Sequence, residues 1–167
     1  RLMDAGAEFN VTPYGTEALG VMRIEKGHAA GNELNGTTTA QNLGLGRMVS
    51  TAKDSIGSKL SERVGLNTAE GLRLVGLKPV DPTHEIKAGG HLMSANGPVD
   101  ASHDQGYVTS AAYSPTLEHM IGLAFIMAGS ERIGERMRLV SPLTKTLVDV
   151  EVVSPHFVDP EGERQRA

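Results

Sequence analysis

The chain has 167 residues, 39% hydrophobic and 22% charged, within the range of an ordinary soluble globular protein. At that length roughly 70% of the unfolded chain's surface can be buried, so no disulfide or metal staple is required. A net charge of −4 without a Lys/Arg cluster gives no electrostatic case for nucleic acid, and the absence of cysteine excludes thiolate chemistry and Cys-bound metals within the chain.

No apolar run approaches the roughly 20 residues a membrane-spanning helix needs, and no secretory leader is recognisable, so a cytoplasmic protein without membrane partners is expected. Leu2, Met3, Ala5, Ala7 and Phe9 predict a short helix at the start. Thr12-Pro13 then has the form of an N-cap with proline at the first helical position. The helix it opens is predicted to run through Glu17, Leu19, Met22 and Glu25 and to stop at Gly27. Residues 28–39, rich in Gly, Asn and Thr, read as a loop. Ile56, Leu60 and Val64, four apart, predict a further helix over 54–64.

From Gly71 onward the texture is β. Leu72, Leu74 and Leu77 form a run closed by Pro79, and residues 91–93, 106–112, 120–127, 136–140 and 146–153 are further strand candidates separated by turn-forming groups. The expected architecture is α+β: a helical segment followed by a small antiparallel β-barrel of about six strands. The division expected is residues 1–68, residues 69–157 and a charged tail over 158–167.

Arg23 is the most informative single residue. It follows Leu19 by four positions and so shares its helix face, which is expected to point inward. A guanidinium there must snorkel outward or find an acceptor, either an intramolecular acid or a ligand's carboxylate, phosphate or polar ring edge. Glu25 and Lys26 close the helix and read as solvated. Thr109-Ser110 ahead of Tyr113-Ser114-Pro115 reads as a polar turn in an apolar neighbourhood. None of the six histidines has a metal-ligand partner at helical spacing, so no metal site is expected. Gly44-Leu45-Gly46 lacks the third glycine and the preceding strand of a dinucleotide loop. No Ser-His-Asp set can be assembled, and no catalytic residue is assigned.

Arg23-Ile24-Glu25-Lys26-Gly27 resembles the L-R-[LI]-E-x-G segment of the glycine-cleavage aminomethyltransferase (T-protein) family. Lys53-Asp54-Ser55-Ile56-Gly57 is similar to its K-x-x-F-I-G element, with Ser55 in place of the usual aromatic residue, and Leu74-Val75-Gly76-Leu77 is similar to its central strand. Gly106-Tyr107-Val108-Thr109-Ser110, continuing to Tyr113-Ser114-Pro115-Thr116-Leu117, resembles its G-x-V-T-S-x-x-x-S-P-x-L hairpin, and this last match is the most specific.

Within the family, Glu25-Lys26-Gly27-His28, the Thr-rich stretch 36–40, Asn42-Leu43-Gly44-Leu45-Gly46 and the ending Val152-Val153-Ser154-Pro155-His156-Phe157 resemble the alpha subunits of heterotetrameric sarcosine oxidases. That resemblance implies a fragment of a larger oxidoreductase, inactive alone, with beta, gamma and delta subunits as partners. It also implies tetrahydrofolate as the acceptor of a one-carbon unit, with NAD and flavins held elsewhere in the complex. Residue by residue, it implies folate contacts from Arg23, Glu25 and Tyr113, while the family's catalytic aspartate and pterin-gripping glutamate fall upstream of Arg1. The alternatives are a glycine-cleavage aminomethyltransferase and a non-catalytic barrel that docks subunits.

Overall fold

The computed structural model describes residues 1–50, 52–53 and 55–166. Helix α1 covers Leu2–Gly6 and passes into a single 3-10 turn, Ala7–Phe9. Helix α2 covers Thr16–Lys26, and α3 is one turn, Ser58–Ser61. Six strands follow: β1 (Leu72–Pro79), β2 (His91–Ser94), β3 (Gly106–Ser114), β4 (His119–Met127), β5 (Arg136–Ser141) and β6 (Thr146–Val153). All pair antiparallel and close in the order β1-β4-β3-β2-β5-β6, with β6 returning to β1 through Gly76 opposite Val153. The expected α+β chain with a six-stranded barrel is what the molecule forms. Closure leaves no continuous unpaired edge.

Strand alternation sorts the apolar residues into two clusters. Val75 and Leu77 of β1, Val108 of β3, Ala124 and Ile126 of β4, and Met137, Leu139, Val150 and Val152 fill one of them, the barrel interior. Leu74, Ile121, Leu123 and Phe125 alternate with these and belong to a second cluster on the barrel's outer surface, beneath Ile24 of α2. Tyr107 packs there as well, its ring 6.0 Å from that of Phe125. Because α2 covers this side, β4 is buried on both faces, which is why residues 120–127 read as an unbroken apolar run rather than an alternating one.

Two expected helix features are corrected. Thr12 and Pro13 do not open α2: residues 11–15 are irregular, the Thr12 hydroxyl donates to the Asn10 carbonyl, and the helix begins at Thr16 with Gly15 as N-cap. The Gly15 carbonyl receives the first helical N–H, from Leu19. The helix expected over 54–64 shrinks to the single turn of α3, with Asp54 outside the described residues. Ile56, Leu60 and Val64 are all exposed, and Gly57, at φ +89°, breaks the helical path. A four-residue period cannot hold a helix that has no surface to bury its stripe against.

The stop of α2 is as expected. Gly27 takes φ +73°, its N–H reaches the Ile24 carbonyl at 3.0 Å, and the His28 N–H reaches Arg23 at 2.8 Å. This is the paired hydrogen-bond pattern of a Schellman motif. The segment after β6 then crosses the helix end. Phe157 and Val158 N–H groups both donate to the Glu25 carbonyl at 2.9 Å, and His156 Nδ1 meets the Lys26 carbonyl at 2.9 Å. Orphan carbonyls at the C-terminus of α2 are thus satisfied by the opposite end of the chain.

Candidate functional site

Two contacts fasten α2 to β3, and both come from the R-x-E segment. The Arg23 Nη2 donates to Ser110 Oγ at 2.5 Å, and Ser114 Oγ donates to Glu25 Oε1 at 2.5 Å. Ser110 and Ser114 lie on the helix-facing side of β3, spaced so that the helix residues two apart meet them in order. A β-bulge at Thr109, between Val108 and Ser110, sets this register. Thr109 and Ser110 are therefore buried within a strand, not in the polar turn expected of them. The Thr109 hydroxyl donates to the Leu123 carbonyl.

Glu33 completes the arrangement and had no signature in the sequence. It is fully buried, in a 3-10 turn over Gly31–Glu33. Arg23 Nη1 donates to Glu33 Oε2 at 2.8 Å, and Ser110 Oγ donates to Glu33 Oε1 at 2.6 Å. The serine hydroxyl accepts from the guanidinium and passes its own proton toward the carboxylate, one donor and one acceptor role for one O–H. Burial pushes the Glu33 carboxyl upward, but hydrogen bonding led by Ser110, the Ala30 amide and the charge of Arg23 outweigh it and hold the group below the usual glutamate range.

Arg23 is half-buried and retains capacity. Nη1 serves Glu33 and, at 3.4 Å, the His28 carbonyl, while Nη2 serves Ser110. Nε–H and the second Nη2–H have no partner among the described residues. These two donors lie along one side of the planar group, the side-on fork that matches two adjacent acceptors. Beside Arg23 is an open cleft of ≈360 Å³, walled by Leu19, Met22 and Arg23 of α2 and by Val158, Asp159 and Arg164 from the chain end. Leu19 and Arg23 do share a face and both border this cleft, Leu19 being 49% exposed, while the Arg23 guanidinium reaches inward to Glu33 and Ser110.

The three residues expected at the site are not all brought together. Arg23 and Glu25 both border the cleft, but Glu25 is largely buried, with its carboxylate engaged by Ser114. Tyr113 alternates with Ser114 along β3, so it sits on the other side of the strand from Arg23 and Glu25, and it is exposed. A larger groove of ≈740 Å³, with Leu34, Leu45, Ile133 and His156 in its walls, is lined by none of the three. No group of His, Asp or Glu able to hold a metal occurs among the described residues.

The barrel region matches the profile of the glycine cleavage T-protein C-terminal barrel domain over residues 73–159, and residues 1–53 match the GCVT N-terminal domain. The chain belongs to the glycine cleavage T-protein family. Among its relatives in that family, the sarcosine oxidase subunit alpha of Rhizobium meliloti (strain 1021) is 40% identical across 98% of this chain, and that of Corynebacterium sp. (strain U-96) is 38% identical across 96%. The chain spans 17% of the length of either. An aminomethyltransferase of Saccharopolyspora erythraea is 32% identical over 93% of the chain and 41% of its own length. The T-protein fold is also found in the glycine cleavage system aminomethyltransferase T of Bartonella henselae, which superposes with a TM-score of 0.71 at 22% identity, over 95% of this chain and 44% of that one. No helix among the described residues is long and apolar enough to cross a membrane.

Proposed function

We propose that this chain is the T-protein-like portion of a sarcosine oxidase alpha subunit and that it contributes Arg23 to a tetrahydrofolate site. The observation that carries the proposal is the spare donor capacity of Arg23, whose Nε has no partner among the described residues, on a side chain that lines an open cleft. Two parallel N–H groups suit the polar edge of a pterin or a carboxylate of folate, whereas a lysine would supply a point charge without the fork.

In this reading sarcosine is oxidised on a flavin carried by another part of the enzyme. Tetrahydrofolate, when bound, would supply the nitrogen acceptors for the one-carbon unit of the resulting imine, and Arg23 would help to hold it. The chain itself binds and orients the acceptor through Arg23, Glu25 holds α2 against β3, and Tyr113, on the far side of β3, lies outside this cleft. Beta, gamma and delta subunits would be its partners, in the cytoplasm.

The reading is tested on the complete enzyme by Arg23→Lys. Lysine keeps a positive charge against the buried Glu33, so the fold is spared the several kcal/mol cost of an uncompensated buried carboxylate. The dissociation constant for tetrahydrofolate should rise by at least about tenfold, measured by equilibrium titration. An unchanged constant in a normally folded variant would sink the proposal.

A further inference from the structure

We infer that Glu33 and Ser110 are positioning residues for the folate site: they grip the Nη1/Nη2 end of Arg23 and thereby aim its Nε/Nη2 side at the cleft. This rests on the folate reading above, and none of the family's motifs quoted earlier assigns a ligand-directed role to either residue.

Neutralising a buried carboxylate requires only an ion pair, and a guanidinium could reach both oxygens of Glu33 directly. Here it does not. Nη1 takes Oε2, while Ser110 stands between Nη2 and Oε1. The planar group is thus fixed at two corners by atoms from two different elements, which leaves it no rotation about its end-on edge. A simple pair would permit that rotation. Hydrogen bonds in such a chain also polarise one another, stiffening the set.

The anchor itself is held. The Ala30 N–H donates to Glu33 Oε2 at 3.0 Å, the Thr38 hydroxyl donates to the Glu33 carbonyl at 2.9 Å, and Asn32 Nδ2 donates to the Thr109 carbonyl at 3.0 Å, tying the turn to β3. Because hydrogen bonds and the Arg23 charge hold the Glu33 carboxyl below the usual glutamate range, they favour the ionised form that grips Arg23. Arg23 is the charged side chain facing it from α2, and β3 faces it with hydroxyls alone; His28 meets the Arg23 guanidinium through its backbone carbonyl.

The test uses the complete enzyme, titrated with tetrahydrofolate across a pH series. Ser110→Ala should raise the dissociation constant about tenfold, the size expected when one orienting hydrogen bond is lost. Ser110→Thr, which restores the hydroxyl, should recover most of the affinity. The acid limb of binding should also move to higher pH in Ser110→Ala, since Glu33 loses a hydrogen bond that keeps it ionised; a residue that merely packs would not move it. If Ser110→Ala does not accumulate as folded protein, Glu33→Gln makes the same test through the other anchor, with a similar loss expected. Weakened binding in Arg23→Lys with unchanged affinity in Ser110→Ala overturns the positioning role and leaves the folate site standing. Unchanged affinity in both removes the folate site as well. Weakening that threonine does not rescue, with the acid limb unmoved, reduces Ser110 to a packing residue.

Discussion

Arg23 and Glu25 stand two residues apart on one helix, and each meets a serine of β3, yet only Arg23 keeps donors to spare. That difference is a matter of valence. Glu25 is buried against Ser114, whereas the five N–H groups of a guanidinium exceed what Glu33, Ser110 and His28 accept. Arg23 stood out in the sequence as a cation four positions after Leu19, but the inward face inferred from that spacing was wrong, since Leu19 is 49% exposed. Glu33 was not, since it lies among Gly, Asn and Thr residues with no periodicity to signal burial. Ser110 and Ser114 carried a faint signal: small polar residues inside a strand must find partners if buried. The coupling has a pH signature. A carboxyl held below its ordinary range contributes stability that is complete above that range and is lost as the pH falls through the lowered value. Ser110→Ala raises the Glu33 value, so its stability should begin to fall at a higher pH. Thermal midpoints measured from about pH 7 down to about pH 3 should show the acid arm of the variant displaced upward relative to the parent protein. Superimposable acid arms would mean that Glu33 is held ionised by something other than this serine.

The elements divide into those whose signals were local and those that depended on what lies opposite. All six strands were readable because apolar alternation, or in β4 an unbroken apolar run, and the intervening turns are properties of the sequence itself. Helix α2 was placed correctly at its end and wrongly at its start. Gly27 is required there by backbone geometry, but Thr12-Pro13 is only an acceptable cap, and the chain uses Gly15 instead. The stripe of Ile56, Leu60 and Val64 failed for want of a partner surface. Gly27 offers the test at this scale. A side chain there would be forced into the left-handed region, and its Cβ would overlap the Pro155 carbonyl oxygen and come within 2.7 Å of His156 Nδ1. Gly27→Ala should therefore destabilise the protein by about 3 kcal/mol, the left-handed penalty plus the displacement of the segment that caps α2. Chemical denaturation reads this directly. A loss below about 1 kcal/mol would mean that residues 154–158 can move aside at little cost.

At the scale of the whole molecule the two apolar clusters pose a question about independence. The barrel interior is built from barrel residues and the segment leading to β2, including Ile86, so closure needs nothing from the first part of the chain. The outer cluster is shared: Leu74, Ile121, Leu123 and Phe125 are buried because Ile24, Ala29 and Leu43 cover them. A boundary near residue 68 was expected from the change of texture, which follows local periodicity and is blind to which surfaces are covered. We propose that this boundary divides architectures and not stabilities, and that α2 and the barrel unfold together. Many contacts cross it, among them the shared cluster, the Arg23–Ser110 and Glu25–Ser114 hydrogen bonds, the bonds of Asn42 to Leu72 and Leu74, and the strap of residues 154–158 over the helix end. Ile24, 4% exposed at the centre of the shared cluster, is the residue to change. Ile24→Ala should cost about 3 kcal/mol, transfer plus cavity, in a site where the surrounding strands are too firmly paired to collapse onto the space. If the two parts are coupled, that loss will appear in probes that see only the barrel, such as amide exchange in β3 and β4, and not merely in those that see the helix. A barrel that keeps its full protection while α2 frays would show that the strands hold themselves together, with the helix bearing its R-x-E segment as a separable attachment.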